Sequence, residues 1–204
     1  MNYFLCFLIS YLIGSVSFAV LISRAFKLPS PYAHGSGNPG ATNVLRTGNR
    51  VAAFLTLIGD ALKGAAAIIG SRLCFDEFGL NAEESELLLA ISLVGVFLGH
   101  IYPIFHRFRG GKGVATAVGG LMALSYTLGL ASILVWLIVA SVTRYSSLAA
   151  ILSSVMCMFV AYFIFELNAV FYSICIVGIV LISRHSKNIR NLLSGRESKI
   201  GSKS

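Results

Sequence analysis

The sequence predicts an all-α integral membrane protein that forms a single membrane-embedded domain over residues 1–204. Of these residues, 56% are apolar and only 12% are charged, and the mean hydropathy is +0.82. Water-soluble domains have more charge and less apolar composition, so these values are typical of a chain that lies in a bilayer. The apolar residues also occur in long runs, which polar or glycine-rich segments separate.

The apolar runs set the number of membrane crossings. They cover residues 2–23, 51–73, 87–105, 114–143 and 146–183. Because a helix needs ~20 apolar residues to cross the hydrocarbon core, each of the last two runs is too long for one span. The sequence therefore predicts five spans, or about seven, several of them short, if the fourth run turns near Leu128–Gly129. Seven spans fit the charges better, since Arg144 then lies on the basic side and Glu166 lies outside.

The placement of charges predicts the orientation. The linker of residues 76–86 has five acids and no base, whereas the linkers 24–50 and 106–113 and the tail hold nearly all the lysines and arginines. Basic segments face the cytoplasm. Arg24 and Lys27 follow the first run and no base precedes it, which favours a retained span with the amino terminus outside. The carboxyl terminus and all the polar motifs are then cytoplasmic.

The first polar motif is GSGNPGATNVLR, residues 35–46. Glycine permits positive φ and close backbone approach, so this loop can let several N–H groups converge on an anion. Arg46 adds a guanidinium for two-point recognition of a phosphate. The candidate ligands are Ser36, Gly37, Asn38, Gly40, Thr42, Asn43 and Arg46. The alternative interpretation is a surface turn with an asparagine cap before a helix.

The second motif is GHIYPIFHRFRGGKGVAT, residues 99–116, in which Lys112 lies at the glycine-rich start of an apolar helix. A lysine at a helix amino terminus suits a phosphate, and Gly110, Gly111 and Gly113 are candidates beside it. The motif lacks the first glycine and the magnesium-binding hydroxyl of a P-loop, so it does not support nucleotide hydrolysis. Alternatively, its basic residues are anchors at lipid headgroups.

The third motif is SRHSKNIRNLLSGRESKIG, residues 183–201. His185 and Asn188 are three positions apart, which predicts that they share one face of a helix near the bilayer surface. A lone histidine is more often structural than catalytic. Here it shares the cytoplasmic side with two other donor-rich segments, which favours a functional role.

Asp60 and Lys63 form an ionisable pair inside the second apolar run. Charges at that depth are unfavourable unless they pair or face a polar cavity. The pair either ties helices together or supports the site, and we favour support for the loops, with Asp60 restraining Arg46 or Lys112.

Together, these segments predict a site for two phosphates. Arg46, Lys112, Arg144 and His185 come to one membrane face with two glycine-rich loops between them, and one phosphate needs about two such positive groups. Two phosphates at a lipid surface indicate phospholipid chemistry. A phosphate transporter is the rival hypothesis, but it requires repeats and polar groups through the bilayer depth, which the sequence does not show. A passive lipid-binding scaffold leaves the donor-rich loops unexplained.

The three motifs resemble those of the PlsY family, the acyl-phosphate-dependent glycerol-3-phosphate acyltransferases of bacterial membranes. The likeness extends to GDALKG in the second run and TRYSSL around Arg144. The resemblance implies transfer of a fatty acyl group from acyl phosphate to the sn-1 hydroxyl of glycerol 3-phosphate. The products are lysophosphatidic acid and inorganic phosphate, in the first step of phospholipid synthesis. It also implies a seven-helix fold in the bacterial cytoplasmic (inner) membrane, with the active site at the cytoplasmic face.

The resemblance also implies residue roles, in which Glu197 joins the third motif. We expect Lys112 and glycine-loop N–H groups to hold acyl phosphate, and Arg46 and Asn188 to hold glycerol 3-phosphate, with Arg144 as a further candidate. Ser36 positions the substrate rather than attacking it. The proton of the acceptor hydroxyl goes either to His185 or to a substrate phosphate.

The expected partners are the two substrates and the lipid bilayer, without a cofactor, a metal ion or a nucleic acid. None of the four histidines has an aspartate five residues later, so the H-x4-D signature of other acyltransferases is missing. The family implied by the motifs uses neither acyl-CoA nor metal. A soluble enzyme that produces acyl phosphate is a candidate partner.

Overall fold

The structure, a computed structural model, describes residues 2–201, except for the side chains of residues 75 and 76. Asp76 of the acidic linker is thus outside the described side chains. All regular elements in the described part of the chain are helical, which confirms the all-α prediction. The helices are α1 (Tyr3–Ser15), α2 (Phe18–Ala25), α3 (Ala41–Leu45), α4 (Arg50–Phe78), α5 (Ala82–Ile101), α6 (Val114–Leu124), α7 (Tyr126–Thr143), α8 (Ser146–Phe165), α9 (Ala169–Arg184) and α10 (Ser186–Leu193), with a 3-10 turn at Ile104–His106.

The described helices confirm a multi-pass membrane protein. Five segments are long and apolar enough to cross a bilayer, namely Tyr3–Ala25, Arg50–Cys74, Ala82–His106, Tyr126–Thr143 and Ser146–Phe165. The pair α9 and α10 meets at a bend of 55° and adds a sixth span only if the two helices are one broken span, and α6 is a shorter apolar helix of 11 residues. The count of seven spans, the orientation of the termini and the single domain stay predictions.

The first apolar run is broken between α1 and α2. Val16 and Ser17 are extended there, so the regular backbone hydrogen bonds of a helix stop at this point. The Val16 carbonyl accepts a hydrogen bond from Lys63 Nζ of α4 at 2.6 Å. A freed carbonyl within a membrane needs such a partner, so the lysine stabilises the break.

The fourth apolar run divides into α6 and α7, as the charge argument favoured, but the turn lies at Ser125 rather than at Leu128–Gly129. Ser125 is extended, and its hydroxyl accepts a hydrogen bond from the Leu128 N–H to cap α7. Gly129 has a different purpose, because a Cβ there would overlap Met122 of α6. The glycine lets two helices approach closely and does not form the turn.

Helix α5 lies at the centre of the bundle, where α1, α4 and α9 pack against it. Its Phe97 is 1% exposed and belongs to a core that continues into α6, α8 and α9. Glycines bring neighbouring backbones together, since a Cβ at Gly99 would overlap the Tyr11 carbonyl of α1. Gly119 of α6 lies in the same way against the Ala61 carbonyl of α4. Close packing of this kind is typical of helices in membranes.

Because α6 is short, its start lies lower than the end of its neighbour α7, and we call this step between the two helices the recess. Helices α6 and α7 form a hairpin around Ser125 and have 11 and 18 residues, respectively. At a rise of 1.5 Å per residue, the start of α6 lies about 10 Å short of the end of α7. The segment that precedes α6, which contains Lys112, therefore lies below the rim of the bundle.

Asp60 and Lys63 of α4 form a buried ion pair. Lys63 Nζ lies 2.9 Å from Asp60 Oδ1, and the two side chains are each 4% exposed. Asp60 Oδ1 also lies 3.6 Å from His100 Nδ1, which in turn is 3.1 Å from the Thr116 hydroxyl. The expectation that Asp60 restrains Arg46 or Lys112 is wrong, because the groups beside its carboxylate are the Lys63 ammonium and the His100 ring. The network links α4, α5 and α6.

We expect Asp60→Asn to lower the stability of the folded protein strongly. The substitution leaves the Lys63 ammonium buried without its carboxylate, which costs about 3–5 kcal/mol in comparable sites. Thermal unfolding in detergent measures the effect as a lower Tm. The double variant Asp60→Asn/Lys63→Met recovers part of the loss, because no unpaired charge remains. Glu83→Gln, at an exposed position of α5, is the control and leaves Tm unchanged. An unchanged Tm in Asp60→Asn would show that the pair does not stabilise the fold.

Candidate active site

The first motif forms a loop that Asn43 shapes from within. The Asn43 side chain is buried and accepts a hydrogen bond from the Ser36 N–H at 2.9 Å. Its Nδ2 donates to the Pro31 and His34 carbonyls at 2.9 and 3.0 Å. Both amide protons are thus used inside the loop. We expect Asn43 to fix the loop shape rather than to contact a substrate.

The same loop leaves several donors unused. The N–H of Gly37 donates to the His34 carbonyl, and Gly37 has a φ of +69° that suits glycine. Unused within the described residues are the N–H groups of Asn38, Gly40, Ala41 and Thr42 and the exposed hydroxyl of Ser36. The Thr42 hydroxyl lies 3.4 Å from that of Ser146. Donors are therefore available at the start of α3, next to Arg46.

The Gly111 N–H of the second motif has a different partner from the phosphate that was predicted for it. Gly110 and Gly111 are buried against the end of α5, and the Gly111 N–H donates to the His100 carbonyl at 3.2 Å. The expectation that this N–H holds a phosphate is therefore wrong. The N–H groups of Gly110, Lys112 and Gly113, which precede α6, are without partners in the described chain. Gly113 has a φ of +84°, and a Cβ there would enter the Phe97 ring.

Lys112 joins the second motif to the third. Its Nζ donates to Asn188 Oδ1 at 2.7 Å, and Asn188 Nδ2 donates to Glu197 Oε1 at 2.7 Å. The Ser147 hydroxyl donates to the same carboxylate oxygen at 2.6 Å. We expected Lys112 and Asn188 to hold different phosphates, but the two side chains hydrogen-bond to each other. Ser147 was not predicted, because a serine in an apolar run gives no signal of its own.

The surroundings of Lys112 lower the pKa of its ammonium group. The pKa of Lys112 is lowered to about 8, chiefly by burial, and the charges of Arg46, Arg184 and Lys187 contribute to this lowering. Glu197 acts in the opposite direction, because its carboxylate favours the charged ammonium. A buried cation with three other cations near it is well suited to bind an anion.

His185 lies at the corner between α9 and α10. It is the N-cap of α10, with Asn188 three positions later in that helix, and the Ile189 N–H donates to its carbonyl at 2.8 Å. The ring is 2% exposed, and its Nδ1 lies 2.8 Å from the Leu181 carbonyl oxygen. A carbonyl can only accept, so Nδ1 carries the proton and Nε2 has the free electron pair. Burial and the Lys112 charge lower the pKa of His185 to about 4, so the ring is neutral at pH 7.

Two predicted arginines contact the carboxy-terminal segment, residues 195–201. Arg46 donates to the Ser198 hydroxyl at 2.5 Å, and its charge affects Lys112. Arg144 is exposed and donates to the Ile200 carbonyl at 2.9 Å, while the Ile200 N–H donates back to the Arg144 carbonyl at 2.7 Å. Arg144 therefore fastens this segment at the edge of the site.

The structure thus brings together one cluster from all three motifs, which consists of Arg46, Lys112, His185, Asn188 and Glu197. Arg184 belongs beside this cluster but was not predicted as part of it. Its only sequence signal was its position directly before His185.

We expect anion affinity at this cluster to fall as the pH rises through about 8, because Lys112 then loses its charge. Sulfate is a suitable probe, since its own charge is constant over this range. Isothermal titration between pH 6.5 and 9.5 should show constant affinity below the pKa of Lys112 and weaker binding above it. Lys112→Met should bind weakly at every pH without this step. A wild-type profile that is flat across pH 8 would contradict the assignment.

Comparisons with known proteins agree with the geometry. A family model described as glycerol-3-phosphate acyltransferase matches residues 4–195. The glycerol-3-phosphate acyltransferase of Ralstonia nicotianae is 52% identical over 194 residues, covering 95% of this chain and 92% of that protein. The one of Nitrosomonas eutropha is 48% identical over 195 residues, covering 96% of each.

Solved structures extend the likeness to the fold. The crystal structure of PlsY, an integral membrane glycerol 3-phosphate acyltransferase, in its glycerol 3-phosphate form has a TM-score of 0.88 and 34% sequence identity. It covers 98% of this chain and 96% of that one. Its lysophosphatidic acid form has a TM-score of 0.85 with the same identity and coverage. A family match over nearly the whole chain, relatives at about half identity and a shared membrane fold place this chain in the glycerol-3-phosphate acyltransferase family.

Proposed function

We propose that this protein transfers a fatty acyl group from acyl phosphate to the sn-1 hydroxyl of glycerol 3-phosphate. The products are lysophosphatidic acid and inorganic phosphate. The observation that carries the proposal is the contact of Lys112 with Asn188 at 2.7 Å, in a recess of a membrane protein where three donor-rich motifs meet. Membership of the glycerol-3-phosphate acyltransferase family supports the acceptor.

Two positions for phosphates follow from the cluster. Lys112, Asn188 and the first N–H groups of α6 form the deeper one, which we assign to the phosphate of the donor. Arg46 and the unused donors at the start of α3 form the more exposed one, which suits glycerol 3-phosphate arriving from water. This assignment moves Asn188 from the acceptor to the donor, because its side chain bonds to Lys112.

An apolar pocket beside the deeper position supports a donor with a fatty chain. It lies between α6, α8 and α9 and includes Val114, which follows Gly113 directly, and Leu181, whose carbonyl holds His185. The remaining lining is mostly apolar, with Ala117, Leu121, Cys157, Ile174 and Val177 among its residues. The cavity is small, about 30 Å³, so a fatty chain must separate these helices to lie here with its reactive end next to Lys112.

The reaction needs little from the protein beyond orientation and charge. The acceptor hydroxyl oxygen attacks the acyl carbon, the bond from that carbon to the phosphate oxygen breaks, and inorganic phosphate leaves. Acyl phosphate is already activated, so no covalent intermediate on the protein is required. Lys112 and the N–H groups at the start of α6 stabilise the negative charge on the departing phosphate. Ser36 helps to place the acceptor.

We assign the proton of the acceptor hydroxyl to a substrate phosphate. A phosphate group with a second pKa near 6 is a stronger base than His185, whose pKa is about 4. His185 Nε2 can accept a hydrogen bond from the neighbouring sn-2 hydroxyl of glycerol 3-phosphate and so direct the sn-1 hydroxyl toward the acyl carbon. The histidine is then an orienting group, which favours one of the two routes that the sequence left open.

The proposed site lies at the cytoplasmic face of the bacterial inner membrane. The basic segments that hold it support this side, since lysine and arginine are enriched in cytoplasmic loops. Glycerol 3-phosphate is water-soluble, whereas the donor and the product have fatty chains that stay in the bilayer. A soluble enzyme that makes acyl phosphate is the candidate partner for such a site.

The first test is phosphate release from the purified protein in lipid vesicles supplied with acyl phosphate. We expect release only when glycerol 3-phosphate is present, together with formation of lysophosphatidic acid. Acyl-CoA should not replace the donor, and Lys112→Ala should lose nearly all activity because the deeper phosphate position loses its cation. Acyl transfer from acyl-CoA but not from acyl phosphate would overturn the proposed donor. No transfer from either donor by folded protein would overturn the reaction.

A second test separates an orienting histidine from a base. In His185→Asn, the new amide can still donate to the Leu181 carbonyl, so the backbone corner is retained. We expect kcat to fall by less than about 10²-fold with KM for both substrates nearly unchanged. Steady-state rates at saturating substrate measure this. A loss near 10⁴-fold at unchanged KM would make His185 the general base instead.

A further inference from the structure

Arg184, the last residue of α9, contacts the segment that joins α5 to α6. Its Nη2 donates to the carbonyl oxygens of Gly110 and Gly111, at 3.4 and 3.3 Å. The guanidinium also lies over the Tyr102 ring, 5.6 Å from the ring centroid. All three partners fall within residues 102–111. One arginine therefore ties this segment to the start of the third motif.

The opposite side of the two glycines is packed against α5. A Cβ at Gly110 would overlap the His100 carbonyl, and one at Gly111 would overlap the His100 ring. The Gly111 N–H also donates to the His100 carbonyl at 3.2 Å. The glycines are thus held between α5 and Arg184, and Lys112 is the next residue in the chain.

The arginine is more than a satisfied anchor. Its Nε is buried and has no hydrogen-bond partner among the described residues. An unpaired buried N–H group is unfavourable. A side chain that served only to fill space would not need such a group. The position in the last turn of α9 partly compensates, because a cation is favourable at the carboxyl end of a helix.

We propose that Arg184 is a positioning residue that holds the Gly110–Gly111 backbone so that Lys112 faces the phosphate of the donor and His185 faces the acceptor, while the charge of Arg184 strengthens the positive field at that phosphate. Because Arg184 directly precedes His185, the same contact fixes the corner between α9 and α10. This inference rests on the proposed function and adds a residue to that site.

The charge of Arg184 affects the pKa of Lys112, and this effect can be measured separately from its hydrogen bonds. The charged groups that act on Lys112 come from four segments, and they are Arg46, Arg184, Lys187 and Glu197. Arg184 is one of the cations that lower the pKa of Lys112, after burial as the largest cause. Without this charge, Lys112 keeps its proton to higher pH. The alkaline limb of the kcat/KM profile, which reports the free enzyme, then moves upward.

Two substitutions separate geometry from charge. Arg184→Lys keeps the charge but loses the planar fork that reaches two carbonyls and stacks on Tyr102. Arg184→Gln keeps an N–H donor but removes the charge. Arg190→Gln, at an exposed position of α10, is the matched control. The measurement is kcat and KM for both substrates between pH 6 and 10, with the full chain in lipid vesicles.

We expect Arg184→Lys to raise KM for acyl phosphate about tenfold, with a smaller change in kcat. The alkaline limb of its kcat/KM profile should be unchanged. Arg184→Gln should raise the same KM and also move the alkaline limb to higher pH. Arg190→Gln should behave as the wild type. A merely structural role would lower the amount of active protein without moving either KM or the pH profile.

Folded Arg184→Gln with the wild-type KM and the wild-type alkaline limb would overturn the inference. If that variant does not fold, Arg184→Lys decides alone, and a wild-type KM would overturn the positioning role. If the wild-type chain transfers no acyl group, the proposed function fails separately. Sulfate affinity then replaces KM, and equal affinities for Arg184→Lys and the wild type would overturn the positioning role.

Discussion

The buried ion pair of Asp60 and Lys63 is the interaction on which the rest of the structure depends. Lys63 satisfies the free carbonyl at the break between α1 and α2, and Asp60 lies beside His100 of α5. The His100 backbone then holds Gly111, one residue before Lys112. A charge deep in a membrane protein is tolerated only with a partner. The pair therefore stabilises the bundle interior and also fixes the start of the segment that carries Lys112.

The recess at α6 explains how a membrane protein can handle anions without opening a channel. The short helix leaves space about 10 Å below the end of α7. A lysine placed there is poorly solvated, which is why its pKa is as low as about 8. The same poor solvation makes its attraction to a phosphate stronger than it would be in water. The site is thus unfavourable when empty and well matched to a charged ligand.

Much of the fold could be predicted, because apolar runs and charge asymmetry act along the chain and can be read from it. The division of residues 114–143 into two helices was predicted. The turn was predicted at the wrong place because Gly129 suggested a turn, whereas this glycine allows close contact with Met122. Asn43 looked like a ligand because its type suits phosphate, and only the folded loop shows that its amide protons are used internally. Ser147 and Arg184 escaped prediction, because their partners are distant in sequence.

The carboxy-terminal segment has a practical consequence for work with this protein. Ser198 and Ile200 contact Arg46 and Arg144, and Glu197 bonds to Asn188 and Ser147. A purification tag or fluorescent protein fused after this segment would be tethered beside the phosphate positions. Such a fusion would strain the contacts that hold the carboxy-terminal segment there. The start of α1 is a better attachment point. Its far end, near Ser15, is the part that approaches the segment after α5, so Tyr3 lies at the opposite end of that helix.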